Sequence, residues 1–315
     1  MQIMPYAKHE LFPEDFDAMT RAAHSGFLTK GPAVEGFEND LQAFTGFKHA
    51  VAVSSGGAAL HAAMHAIGIR KGNVVCPSLT FTATAACVEM CGATAVFADI
   101  EHDTLCIDPE SVRKAIAQYN AKAIIAMDYA GAPCDIVYLR KICDFYKIPL
   151  ILDACHSFGG DWLQIADIAC VSFHPAKLIT TGEGGAMFTN NTDYYKRAMS
   201  FRDHGITVPV DKRVGANYQI NEIGHNYRIT DMQAALGSSQ LGHAKDFLAI
   251  RKKLAKNYLK LFQNSPTIKP IAWSNESTNH IFVVDFHDSI VSRDTAYAEM
   301  RNMGFGVAMH YPPLH

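Results

Sequence analysis

The chain has 315 residues, of which 49% are hydrophobic and 19% charged; this fits a folded protein with a large core and excludes a disordered or collagen-like chain. Its 28 basic and 31 acidic residues leave a formal charge of −3, which argues against a general nucleic-acid-binding surface. No apolar run reaches the ~18 residues of a membrane-helix candidate, and the opening residues lack a basic segment followed by an apolar one, so a cytoplasmic protein with no membrane partner is expected.

The first short, β-rich apolar run covers residues 50–53. Others follow at 74–76, 94–98, 123–127, 150–152, 168–172 and 186–189. Segments with apolar residues three and four apart lie between many of them, at 58–67, 82–90, 109–118 and 135–146. Pro109 and its acidic neighbours fit a helix start. Strand, helix, strand repeated in this way predicts an α/β fold: a mostly parallel seven-stranded sheet with helices on both faces. Ligands of such sheets bind beyond the carboxyl ends of the strands. The strand signal stops near residue 190. A polar, glycine-containing stretch follows at 202–228, then a helical pattern at 230–262 that reads as one helix or two. Strand-like runs at 280–286 and 307–309 flank a helical stretch at 293–303. The expected division is a large domain over 1–235 and a small α+β domain over 236–315.

Eight cysteines are scattered through apolar segments without a CxxC pair, which predicts reduced, buried thiols rather than a disulfide framework. The alternative is a nucleophile at Cys155, next to His156. His61 and His65 stand four apart on an expected helix with no glutamate between them at the position a zinc motif needs, so they read as helix-face histidines. No G-x-G-x-x-G, Walker loop or G-x-S-x-G elbow is present.

The chemistry gathers after three strands. Asp153 directly follows one apolar run, and Lys177 follows the next, with room between them for a single connection. The glycine-rich Thr180-Thr181-Gly182-Glu183-Gly184-Gly185 comes after the lysine. Upstream, Val53-Ser54-Ser55-Gly56-Gly57-Ala58 reads as strand, small-residue turn and helix start, where backbone N–H groups can bind phosphate. Pyridoxal phosphate needs these parts: a lysine for its aldehyde, a carboxylate for its ring nitrogen, a helix N-terminus for its phosphate and an aromatic ring for one face.

The sequence resembles the DegT/DnrJ/StrS nucleotide-sugar aminotransferases, from about Phe27 to His315. The markers include Phe27-Leu28-Thr29-Lys30-Gly31-Pro32, Ser78-Leu79-Thr80-Phe81-Thr82-Ala83-Thr84, Asp153-Ala154-Cys155-His156, Ser172-Phe173-His174-Pro175-Ala176-Lys177, Gly182-Glu183-Gly184-Gly185 and Gly224-His225-Asn226-Tyr227-Arg228. Within that family Asp128-Tyr129-Ala130-Gly131, the 224–228 motif and His310-Tyr311 look most like enzymes acting on UDP-linked 4-keto-6-deoxy sugars, those of the pseudaminic-acid pathway first, with the lipid A aminoarabinose pathway as a neighbour. The resemblance implies the aspartate-aminotransferase-like fold (fold type I), pyridoxal 5'-phosphate as cofactor, and a nucleotide-sugar substrate with glutamate as amino donor. It also implies a homodimer with shared active sites.

Residue by residue, the resemblance makes Lys177 the catalytic Schiff-base lysine. Asp153 would pair with the pyridine nitrogen, His156 would lie beside the ring, and Phe81 would stack on its outer face. Ser55, Gly56, Gly57 and Ser172 would line the phosphate site, which Asn226 would reach from the other subunit. Thr29, Lys30, Tyr227, Arg228, His310 and Tyr311 would lie near the nucleotide sugar. Two departures stand out. The family usually carries Thr or Ser where Gly57 stands, which removes one phosphate hydroxyl. Relatives also continue beyond the position of His315, so the small domain is expected to be incomplete. The competing readings are a sugar dehydratase using the same cofactor, in which histidine replaces the lysine, and a non-catalytic cofactor- or sugar-binding regulator.

Overall fold

The seven apolar runs between residues 50 and 189 all become strands of one sheet. The computed structural model describes residues 4–207, 219–286 and 289–315. The strands are β1 (His49–Val53), β2 (Asn73–Pro77), β3 (Thr94–Ala98), β4 (Ala123–Met127), β5 (Leu150–Asp153), β6 (Ile168–Ser172) and β7 (Gly185–Thr189). Their order across the sheet is β1-β7-β6-β5-β4-β2-β3. β7 is antiparallel to both of its neighbours, and the pairs among β2 to β6 are parallel. β1 therefore runs the same way as β6, and six carboxyl ends share one edge.

Both faces of the sheet are covered, and the strands show it by alternation. Ile124 and Ala126 of β4 join the core on one face, while Ala123 and Ile125 join the core on the other. The first face is packed by α2 (Pro32–Thr45), α5 (Pro109–Tyr119), α6 (Ile136–Tyr146) and α8 (Asp231–Leu241). The second is packed by α3 (Gly56–Ala66), α4 (Thr82–Met90) and α7 (Thr192–Arg202). Each fully buried Leu, Ile or Phe in these layers contributes about 1.5–3 kcal/mol. Where α2 meets α8, a side chain at Gly237 would come within 2.5 Å of the Phe37 ring. The α2 N-terminus is fixed from the same helix: buried Asp231 accepts from the amides of Gly31 (2.9 Å) and Ala33 (3.2 Å).

The 230–262 pattern resolves into two helices, α8 and α9 (Ala244–Phe262). Beyond them lie a two-stranded antiparallel sheet, β8 (Lys269–Ile271) with β9 (Val283–Asp285), and α10 (Arg293–Asn302). The run at 307–309 forms no strand. The chain pairs just before it instead, through a bridge between Met4 and Phe305 and a 2.7 Å bond from the Gly306 amide to the Met4 carbonyl. Three helices exceed the sequence expectation: α1 (Pro13–His24), α2 and α7. Part of the polar stretch at 202–228 lies outside the described residues.

Candidate active site

Neighbouring strand ends bring the acid and the lysine together. β5 ends at Asp153 and its neighbour β6 ends at Ser172, from which a short turn leads to Lys177. Asp153 is buried. Its Oδ2 accepts a 2.7 Å hydrogen bond from Thr84 Oγ1, and its Oδ1 accepts one of 3.2 Å from the Cys155 amide. Burial lowers the pKa of Lys177; Cys155 and Asp153 oppose that shift without cancelling it, and Arg251 adds to it. The amine is therefore more readily neutral, and nucleophilic, than an exposed lysine. Burial first, and then Asp153, pushes the Cys155 thiol well up, so this cysteine holds its proton and is a poor nucleophile. All eight cysteines are free, and six are buried.

The turn after β1 delivers a helix N-terminus to the same edge. Ser55 caps α3 by accepting from the Ala58 amide at 3.0 Å. The amides of Gly56 and Gly57 sit in the first turn, where a helix offers them no internal acceptor. Gly56 permits close contact with the other strand ends: an added Cβ would lie 2.8 Å from Ser172 Cβ and 3.1 Å from Cys155 Sγ. Ser172 Oγ accepts from the His174 amide at 3.3 Å. Phe81 precedes α4 with its ring 52% exposed, as a stacking surface would be and a core residue would not.

His156 is held in one tautomer. The Ala130 amide donates to its Nδ1 at 3.2 Å, so the proton of the neutral ring sits on Nε2, 3.0 Å from the Tyr311 hydroxyl. Burial, then Lys177 and His310, holds its pKa well below the ordinary range, which agrees with a neutral ring. Segments from the C-terminal third close this side. Thr278 Oγ1 donates to the His156 carbonyl at 2.8 Å, and the His280 amide to the Ala130 carbonyl at 3.0 Å. Gly131, at φ 93°, makes the approach possible, because a Cβ there would come 2.3 Å from Thr278 Oγ1. Arg251 of α9 ties the cover to the lysine turn, donating to the His280 carbonyl at 2.9 Å and the Lys177 carbonyl at 3.1 Å. His310 bonds the Tyr6 hydroxyl at 2.8 Å and accepts from Tyr129 through its carbonyl. Tyr311 lies 5.6 Å from the Phe81 ring, centre to centre.

The other expected residues form a second group beside the turn after β1. Lys30 and Arg228 both pair with Asp203. Burial raises the pKa of Asp203, but the two cations outweigh it and hold the carboxyl below its ordinary value. Tyr227 bonds His61 Nδ1 through its hydroxyl at 3.0 Å and accepts the Ser54 amide through its carbonyl at 2.8 Å. Thr29 bridges to Thr230, and exposed Asn226 bridges to Asp203. The two helix histidines are engaged by side chains, His61 by Tyr227 and His65 by Glu222 at 2.7 Å. Thr80, Thr84, Arg251, Thr278 and Asp203 were not expected at the site. Thr84 lies 69 positions from Asp153 and Arg251 lies 74 from Lys177, so no local spacing marks them.

The chain's likeness to known proteins is extensive. The model of the DegT/DnrJ/EryC1/StrS aminotransferase family matches residues 10–315. The fold superposes on Helicobacter pylori PseC, an aminotransferase involved in the biosynthesis of pseudoaminic acid, with a TM-score of 0.93 and 28% identity over 99% of this chain and 86% of that one. The sugar aminotransferase Spr1654 from Streptococcus pneumoniae, described as putative and solved in its PLP form, gives 0.90 and 26% over 99% and 86%. ColD, a GDP-4-keto-6-deoxymannose-3-dehydratase solved with GDP-perosamine, gives 0.89 and 26% over 96% and 84%.

Proposed function

The chain belongs to the DegT/DnrJ/EryC1/StrS aminotransferase family, and on that footing we propose that it moves an amino group from glutamate to a nucleotide-linked 4-keto-6-deoxy sugar. The sugar is UDP-linked and aminated at C4, and the product serves cell-surface glycan synthesis in the cytoplasm. The family depends on pyridoxal phosphate. The residues present fit that group: a glycine cradle at the α3 N-terminus for its phosphate, a buried carboxylate for its ring nitrogen, an exposed aromatic ring for one face and a lysine for its aldehyde. When bound, the cofactor supplies a carbonyl that takes up and hands on an amino group, and a ring that withdraws electrons from the reacting carbon.

The chain's own residues have distinct tasks in this reading. Lys177 Nζ would hold the cofactor's aldehyde, and its amine is the group that can take a proton from the α-carbon of glutamate and return one to the sugar carbon. Its lowered pKa suits both directions of transfer. Asp153 would favour a proton on the ring nitrogen by its charge. His156, with Nδ1 occupied and Nε2 turned to Tyr311, orients the ring from the side, and Tyr311 and Thr278 help to exclude water. Asn226 acts on the phosphate of a partner subunit in a homodimer with shared sites. Thr29, Lys30, Tyr227, Arg228, His310 and Tyr311 meet the nucleotide sugar. The large unit, 1–235, carries the cofactor, and the small one, 236–315, covers it.

The observation that carries the reading is the meeting of Lys177 with Asp153 at adjacent strand ends. ColD gives the dehydratase reading some support, but the family resemblance implies histidine in that branch at the position where this chain has Lys177. Incubation with glutamate and a panel of UDP-, GDP- and dTDP-linked keto sugars, read by mass spectrometry, tests the proposal. It expects a C4 amine on a UDP sugar; loss of a hydroxyl without nitrogen gain would favour the dehydratase.

A further inference from the structure

We propose that Thr84 is the positioning residue of Asp153, and that Thr80 fixes the direction of its hydrogen bond. Thr84 has one hydroxyl proton and two acceptor sites. Its oxygen lies 2.7 Å from Asp153 Oδ2 and 2.7 Å from Thr80 Oγ1. An ionised carboxylate can only accept, so the Thr84 proton points at Asp153. Thr80 has one proton and two acceptors in reach, Thr84 Oγ1 at 2.7 Å and Met127 Sδ at 3.0 Å; the oxygen is the stronger acceptor and has its own proton on Asp153, so the chain runs from Thr80 through Thr84 to the carboxylate. Both threonines are 0% exposed, so no water can substitute for either hydroxyl.

Three features support a role beyond packing. A hydrogen bond to a charged acceptor is about twice as strong as a neutral one, and a donor behind it strengthens it further in a dry interior. The second Asp153 oxygen is held by a backbone amide at 3.2 Å, so the two bonds together fix the plane of the carboxylate. Thr84 is itself on a rigid element, the first turn of α4, three residues after Phe81 in sequence. The same helix start thus places a ring for the cofactor's face and a donor for the acid at its nitrogen.

The inference rests on the proposed cofactor role of Asp153, and the test separates the two. Apoprotein is titrated with pyridoxal phosphate and with its 1-deaza analogue, in which carbon replaces the ring nitrogen. Wild-type protein should prefer the natural cofactor. Thr84→Val keeps the shape and removes the donor; it should cut that preference roughly tenfold, the size expected for a charge-assisted bond. Thr84→Ser should restore it, and Thr80→Val should cut it about twofold to threefold. A Thr84→Val protein that loses affinity for both ligands equally, or for neither, would overturn the proposal and leave Thr84 as packing alone. If Thr84→Val does not fold, Thr80→Val and Thr84→Ser decide: an unchanged preference in the first, or a valine-like loss in the second, overturns it. A wild-type protein blind to the ring nitrogen would instead remove the assigned role of Asp153, and the inference with it.

Discussion

Asp128 and Asp153 lie at the ends of neighbouring parallel strands, β4 and β5, and both are buried, yet only Asp153 is proposed to act on the cofactor. Asp128 spends its acceptors inside the protein. It takes hydrogen bonds from Ser157 Oγ at 2.6 Å, Trp162 Nε1 at 2.8 Å and the Cys134 amide at 2.9 Å. Burial still keeps its pKa above the ordinary carboxylate value, with those donors pulling the other way. Asp153 has one side-chain donor and one amide, and it shares its surroundings with Lys177. A closed set of partners serves the fold, whereas an incompletely enclosed one beside a buried amine serves chemistry.

Substitutions can break or sharpen this contrast. Lys177→Ala should lower turnover by ~10⁴-fold or more, since nucleophile and proton carrier go together; a stopped assay with glutamate and the accepted keto sugar reads it. Asp153→Asn should lower turnover by roughly 10²–10³-fold with little change in thermal stability. Asp128→Asn should do the reverse: stability falls by about 1–3 kcal/mol in urea titration, because an amide NH2 faces donors, while cofactor binding survives. Equal effects of the two acid substitutions on turnover would erase the distinction between the strand ends.

A third polar site extends the comparison to pH. His61 is held down to about 4 from 6.5 by burial first, and then by His225, His65 and Arg70. Between these values the unfolded chain binds a proton that the folded chain refuses. Stability from this group is therefore complete above about 6.5 and is lost as pH falls toward 4. His61→Asn should flatten that part of the stability curve without changing the pH dependence of turnover. A smaller effect is expected at the phosphate turn. A side chain at Gly57 meets only Ala83 Cβ and Ser55 Oγ, both at 3.8 Å, so Gly57→Ser should fold normally. It should tighten cofactor binding by no more than about fivefold, one neutral hydrogen bond. Gly56→Ala, with Ser172 Cβ at 2.8 Å, should weaken it.

Sequence made the sheet legible because each strand is a short apolar run bounded by polar turns, and the acid and lysine stood out because they follow such runs. α1 precedes the first strand, buries only Asp15 and Ala22 and leaves Phe16 exposed; it was not drawn from the sequence, although Phe16, Met19 and Ala23 stand at helical spacing. α7 is polar and tyrosine-rich, with the same result. The run at 307–309, Val-Ala-Met, misled because so short an apolar run carries no information about a pairing partner. Thr84 and Arg251 were hidden because their roles come from contacts that only the folded chain makes.

The central claim is that one lysine carries the cofactor. Borohydride reduction of the protein loaded with pyridoxal phosphate, followed by proteolysis and mass spectrometry, tests it most directly. The account predicts a single phosphopyridoxyl label on Lys177; a label on another lysine, or none, would contradict it.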